Sequence, residues 1–263
     1  MYVIDTHCHL NYLDYTNEHK DLADVIAKAR ARDVKQILHI SCLLKEYTQI
    51  KDQYLQHPEI FFALGIHPSH AHEEELDLDF MRAAIAENPR IVAIGEIGLD
   101  SYWTTEHLDI QREIFAKQLT LAKELDLPVI VHTRGDIAQQ TIDMIKESGV
   151  RKGVIHCFTE NNSIAQQALD LSFHLGVGGI ATFKNATELR ETLRQVPVER
   201  ILTETDSPYL APVPHRGKPN QPAYTRDVVN NLAAMFGGMT AQEFAQQTVK
   251  NAQVLFKLPA LED

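Results

Sequence analysis

Six residues of this chain carry metal-binding side chains at the ends of short apolar runs. They are His7 and His9 (DTHCHL), Glu96 (VAIGEIGLD), His132 (PVIVHT), His156 (GVIHCF) and Asp206 (ILTETDSP). His7 and His9 stand two apart, and the period of an extended strand puts both imidazoles on one face and Cys8 on the other. Alone, a His-x-His pair is as readily two core histidines as two ligands. Four histidines and two carboxylates in equivalent places shift that balance, because each buried polar group would otherwise need its own hydrogen-bond partner. The count suits two divalent ions, one on His7, His9 and Asp206, the other on His132 and His156, with Glu96 bridging. Each ion then keeps open positions for water and substrate. Imidazole with carboxylate favours zinc, manganese, iron or nickel, and a purely oxygen site favours magnesium, so the metal stays open among zinc, manganese, magnesium and nickel. The chemistry implied is hydrolysis by activated water, with Asp206 and Glu96 as catalytic carboxylates: Asp206 orients the water and accepts its proton. No GxSxG elbow is present, and no serine or cysteine nucleophile is required.

Such a set converges only if several strands end at one rim. Eight apolar, β-branched runs recur along the chain: Tyr2 to Thr6, Lys35 to Ser41, Ile60 to Ile66, Ile91 to Gly95, Pro128 to His132, Gly153 to Cys157, Phe173 to Gly178 and Arg200 to Thr205. Between them lie segments of helical period. Asp21 to Arg32 places Leu22, Val25, Ile26 and Ala29 on one stripe, and Ile110 to Leu125, Ser163 to Leu171 and Ala186 to Val196 follow suit. Repeated βα units predict an α/β fold with a parallel sheet, and eight of them predict a TIM (β/α)8 barrel in a single domain spanning residues 1–263. An open doubly wound sheet would carry a glycine-rich loop after its first strand, and none is found. After the eighth run, APVPHRGKPNQPAY reads as a long functional loop, followed by closing helices near Arg226 to Phe236 and Ala241 to Phe256.

The chain has 263 residues, of which 44% are hydrophobic and 23% charged, which excludes disordered and fibrous classes. A net charge of -11 disfavours nonspecific adhesion to nucleic acid, yet bound cations can reverse the potential at one place while the surface stays acidic. Cys8, Cys42 and Cys157 are odd in number and lack CxxC spacing, so they read as small buried apolar residues. No apolar run approaches the roughly 18 residues of a membrane span, and MYVIDTHCHL lacks a basic leader, so a cytoplasmic location is expected.

In order, DTHCHL, GIHP, GEIGLD, VIVHTR, HCFT, TETDSPYLAP and HRGKPNQP closely resemble the TatD family of metal-dependent hydrolases, in particular its YcfH-like branch. The match runs from Asp5 to the NAQVLF segment ending at Phe256. The resemblance implies a barrel of the amidohydrolase superfamily, deoxyribonuclease activity, and ligands on the same six positions. It further implies a single-stranded DNA end as substrate, trimmed from its 3′ side. One departure stands out: many relatives read HTRDA where this chain reads His132-Thr133-Arg134-Gly135-Asp136, which moves the acid one place.

Other residues are candidates for substrate contact. Arg134, Lys184, His215, Arg216 and Lys218 follow strand ends and are placed to grip phosphates, although loop cations are ordinarily only solvated. His67, in GIHP, faces the site or packs beside it. Tyr102 and Trp103 offer rings for stacking on an unpaired base, or pack against a neighbouring loop. Glu204, two before Asp206, is expected on the same face, orienting a ligand or serving as an auxiliary acid. The same site would also serve a carboxylic ester, such as an aminoacyl-tRNA ester, or a small cyclic amide. Glu96 makes the amide weaker, since many ring-opening relatives bridge with a carboxylated lysine. A non-catalytic binding module is the remaining class, and open coordination positions argue against it.

Overall fold

The computed structural model describes residues 1–103 and 105–260. Strands and helices alternate along them: β1 (Val3–Cys8), α1 (Leu22–Arg30), β2 (Val34–Ile40), α2 (Leu44–Tyr54), β3 (Ile60–Leu64), α3 (Leu78–Glu87), β4 (Ile91–Asp100), α4 (Leu108–Glu124) and β5 (Val129–Arg134). The series continues with α5 (Ala138–Ser148), β6 (Gly153–Ile155), α6 (Asn162–Asp170), β7 (His174–Val177), α7 (Thr187–Leu193), β8 (Ile201–Thr203), α8 (Thr225–Ala233) and α9 (Ala241–Phe256). In the sheet each strand lies next to its neighbour in sequence, from β1 to β8, which is the order of a TIM (β/α)8 barrel.

All eight apolar runs fall on strands, with one informative difference in length. β4 does not stop at Gly95 but runs on to Asp100, so Glu96 lies inside the strand rather than at its end. The polar residues beyond Gly95 read as a loop by composition, but pairing of Gly98 with His132 and Asp100 with Arg134 extends the ladder.

The described residues form two compact units, one of Met1–His39, Cys157–Asn161 and the chain from Leu175 onward, the other of Ile40–His156 and Asn162–His174. In the first, β1 pairs with β2 and β7 with β8, all parallel. α9 lies against β1 and β8, burying Phe244 and Phe256, each contributing about 1.5–3 kcal/mol. Thr240 and Glu243 start α9 with a capping box, each side chain satisfying the other's backbone N–H. In the second unit β3, β4, β5 and β6 pair in parallel around Phe62, Ile94 and Val129, and α4 covers β4 with Phe115 and Leu119.

Cys8 and Cys42 are buried as expected, but Cys157 is partly exposed and has a left-handed backbone (φ 44), which corrects its reading as a packed apolar residue. Among the described residues no helix is long and apolar enough to cross a membrane.

Candidate metal-binding clusters

The predicted ligands occur as one cluster in each unit. In the first unit the chain beyond β8 runs alongside the end of β1: Asp206 N donates to His7 O at 2.9 Å and His9 N to Ser207 O at 2.8 Å. This brings three donor atoms together. His7 Nε2 and His9 Nε2 are 3.4 Å apart, and Asp206 Oδ1 lies 3.7 Å from the first and 3.6 Å from the second. A spacing of roughly 3.4 Å is what two ligands at about 2.1 Å from one tetrahedral ion subtend, so the triangle fits a zinc-sized cation.

Local backbone explains the triangle. Asp206 has φ 56, a left-handed conformation that aspartate tolerates better than most residues. β8 has already ended at Thr203, so no alternation links Glu204 to Asp206, contrary to the expectation that they share a face. Glu204 instead is buried and accepts from Cys157 N at 2.7 Å, in space that Gly176 leaves, since a Cβ there would meet the carboxylate at 2.3 Å.

Two residues not singled out by their sequence hold this arrangement. Asp5 accepts from Thr205 N (2.9 Å), Thr205 Oγ1 (2.6 Å) and His7 N (3.4 Å). Burial pushes the Asp5 carboxyl up to about 7, against those hydrogen bonds, and the charge of Glu204 adds to the rise. Asn220, within HRGKPNQP, donates to Thr205 O at 2.7 Å and Tyr209 O at 2.6 Å, pinning the loop after Asp206. The aspartate in DTHCHL was the available signal for Asp5. Asn220 has none short of its fold.

In the second unit three imidazoles surround one carboxylate oxygen. Glu96 Oε1 lies 2.9 Å from His132 Nδ1, 3.4 Å from His67 Nε2 and 3.4 Å from His156 Nε2. The other nitrogen of His132 lies 3.0 Å from Asp100 Oδ2. Two carboxylates thus flank one ring. Burial opposes charge on His132, but hydrogen bonds to Asp100 and Glu96 outweigh it and raise its pKa; burial likewise opposes the Asp100 carboxylate, and His132 lowers it nonetheless.

Asp100 is the residue that the short reading of β4 missed. Between Ile94, which pairs with Val129, and Ile97, which pairs with Val131, β4 gains one residue, so a bulge re-aims the strand at Glu96. Gly98 then adopts φ 142 directly against β5, where a Cβ would come within 2.0 Å of His132 O. α4 steadies both strand ends through glutamines seven apart on its buried face. Gln111 accepts from Asp100 N (2.8 Å) and donates to Asp100 O (3.0 Å), and Gln118 does the same for Ile66 at 2.8 and 3.3 Å. Amides on an otherwise apolar stripe were the legible sign of these clamps.

His67 belongs to this cluster, but its chemistry separates it from the others. Its Nδ1 accepts from Ser69 N at 3.1 Å, so in the neutral ring the proton sits on Nε2, which faces Glu96. In that tautomer Nε2 carries its proton toward His132 Nδ1, 3.3 Å away, with Glu96 Oε1 at 3.4 Å, and has no lone pair to offer a metal.

The candidate phosphate cations fare differently. Arg216 is exposed with its guanidinium 3.6 Å from the Phe183 ring centroid, and Lys184 and Lys218 are exposed. His215 is engaged elsewhere: it stacks on Tyr224 at 3.7 Å and lies 3.1 Å from Asp227 Oδ2, which also pairs with Arg32. Arg134, Tyr102 and Trp103 form a group of their own.

The TatD family model, described as TatD related DNase, matches residues 4–257. The chain belongs to the TatD family of metal-dependent hydrolases. It is 45% identical to the uncharacterized metal-dependent hydrolase YcfH of Escherichia coli (strain K12), over 99% of this chain and 97% of that one. It is 37% identical to the uncharacterized metal-dependent hydrolase YabD of Bacillus subtilis (strain 168), over 97% and 99%. Among solved structures, YJJV, a TatD homologue from Escherichia coli K12, superposes with a TM-score of 0.90 at 28% identity, covering 98% of each chain. TatD membership and this likeness fix the barrel architecture and make metal-dependent hydrolysis the chemistry within which both clusters are to be understood.

Proposed function

We propose that this TatD protein is a phosphodiesterase that removes nucleotides from the 3′ end of single-stranded DNA. The observation that carries the reading is the triangle of His7 Nε2, His9 Nε2 and Asp206 Oδ1, whose edges of 3.4, 3.7 and 3.6 Å match the ligand spacing of a small divalent ion. Glu96, His132 and His156 are the second ligand set proposed, making two ions per chain, of zinc, manganese, magnesium or nickel. When bound, such ions would supply Lewis acidity, activating a water for attack on phosphorus, polarising the non-bridging phosphoryl oxygen and stabilising the departing sugar oxygen.

The chain's own residues do the rest. Asp206 orients the water and accepts its proton on a carboxylate oxygen, 3.7 and 3.6 Å from the Nε2 atoms of His7 and His9. Glu96 presents its Oε1 to His67, His132 and His156, 2.9 to 3.4 Å away, where it can share an ion with two of them. Asp100 and His67 both contact the ring of His132, at 3.0 and 3.3 Å, and so hold it against turning during turnover. The family's description as DNase and the nitrogen and oxygen donors, with no serine or cysteine required, support a phosphodiester substrate.

The test is release of mononucleotides from end-labelled single-stranded oligonucleotide in Mg2+ or Mn2+. Metal-loaded protein inert toward both DNA and RNA would overturn the reading, and turnover of an aminoacyl ester in its place would redirect it to ester hydrolysis.

A further inference from the structure

Tyr102 and Trp103 are 59% and 70% exposed, an unusual place for two adjacent large rings. They meet edge to face at 4.9 Å and 87°. The guanidinium of Arg134, itself exposed, lies 4.2 Å from the Tyr102 centroid and 5.2 Å from that of Trp103. A cation over both rings is held there by attraction to their π faces, which leaves the N–H groups of an exposed guanidinium available as donors.

The group is built into the strand pair that carries Glu96 and His132. Asp100 and Arg134 are register partners, and Ser101 N donates to Arg134 O at 2.9 Å, which sets the start of the aromatic loop beside Arg134. Tyr102 N donates to Asp100 Oδ1 at 2.9 Å, and Asp100 Oδ2 lies 3.0 Å from His132 Nε2. One carboxylate therefore connects the aromatic loop to a proposed metal ligand. Gly135 completes the fit. It has φ 90, and a Cβ there would come within 2.4 Å of Ser101 Oγ and 3.0 Å of Tyr102 N. The departure from HTRDA to His132-Thr133-Arg134-Gly135-Asp136 thus has a structural consequence: the side chain it removes would have collided with the loop that presents the rings.

We propose that Tyr102, Trp103 and Arg134 form a base-stacking subsite for a single-stranded nucleic acid, the rings taking the π face of a base and the guanidinium an adjacent phosphate. The proposal deepens, and rests on, the phosphodiesterase reading. Its chemistry requires a ligand with a flat ring joined to an anion within the reach of one arginine, and a nucleotide unit meets both demands. Stacking of this kind tolerates any base, because every base has a π face.

Trp103 is the chain's sole tryptophan, so intrinsic emission reports this subsite directly. Metal-loaded full-length protein is titrated with phosphorothioate tetrathymidylate, which resists turnover, and with its abasic counterpart of equal charge. The expected result is quenching by the base-bearing oligonucleotide alone, with binding on the order of tenfold tighter than for the abasic one. In Trp103→Ala, with binding read by anisotropy of end-labelled oligonucleotides, that ratio falls toward one, and in Tyr102→Ala it falls part of the way. Equal affinities and an unquenched Trp103 in the wild type overturn the subsite even if a variant fails to fold. Cleavage of end-labelled DNA without quenching leaves the phosphodiesterase reading standing and removes the subsite, whereas quenching without cleavage of DNA or RNA supports the subsite and removes that reading.

Discussion

The His7–His9–Asp206 triangle and the cluster around Glu96 gather buried imidazole and carboxylate by opposite means. The triangle joins segments some 200 positions apart and is held by backbone bonds, Asp206 N to His7 O and His9 N to Ser207 O, with Asp5 and Asn220 bracing it from behind. Its donor atoms stay 3.4 to 3.7 Å apart. The Glu96 cluster comes from successive strands and is knit by its own side chains, with contacts of 2.9 and 3.0 Å around His132. A backbone-braced set keeps the spacing an ion needs, while a set bonded to itself must exchange hydrogen bonds for coordination. The triangle is therefore expected to load first as divalent metal is titrated, and occupancy followed by metal analysis in wild type and Asp206→Ala tests that order.

Removing one ligand from each cluster has the largest expected effect. Asp206→Ala and His132→Ala should each lower turnover by about 10³-fold or more and reduce bound metal from two ions toward one. Activity at the wild-type level in both variants would place the chemistry elsewhere. Asp100→Asn separates the clusters more finely, since it keeps the shape of the residue and removes the charge beside His132. It should cost on the order of 10- to 100-fold in activity, with metal loss confined to the second cluster.

The braces should act on stability. Gln111→Ala strands the buried N–H and carbonyl of Asp100, and Asn220→Ala strands the carbonyls of Thr205 and Tyr209. Each should cost about 1–3 kcal/mol in urea denaturation, and each should disturb metal binding only in its own cluster. A variant that weakened both clusters equally would erase the distinction drawn between them.

The smallest effect is a pH slope. Burial pulls the pKa of His39 down to about 3, and the neighbouring charges of His9 and His7 add to the fall. Between the ordinary value of 6.5 and about 3, the unfolded chain binds a proton there and the folded one does not, so this contribution is full above 6.5 and is lost as pH drops through that window. Asp5, raised to about 7, takes up its proton in the folded state and works in the opposite sense over part of the range. The difference between wild type and His39→Asn isolates the histidine and should approach about 1.4 kcal/mol per pH unit below 6.5. Parallel stability curves for the two proteins would show that His39 takes a proton without unfolding.

Much of this molecule could be read from its residues alone. Each apolar run became a strand because β-branched stretches of that length bury both faces in a parallel sheet, and the stripes between them became helices through their period. The six ligand candidates were visible as polar residues interrupting apolar runs, where burial would be costly without a shared purpose. Tertiary structure decided the rest. Asp100 and Asn220 have ordinary side chains in ordinary local sequence, and while the amides of Gln111 and Gln118 stand out on an apolar stripe, what all four bond to arises only from what lies across a strand or beneath a helix. The continuation of β4 to Asp100 leaves Glu96 inside its strand, the bulge before Ile97 interrupts its alternation, and the end of β8 at Thr203 leaves Glu204 outside the strand period and against Cys157. Periodicity is a property of the chain, whereas a hydrogen bond between distant residues exists only once packing has chosen their neighbours.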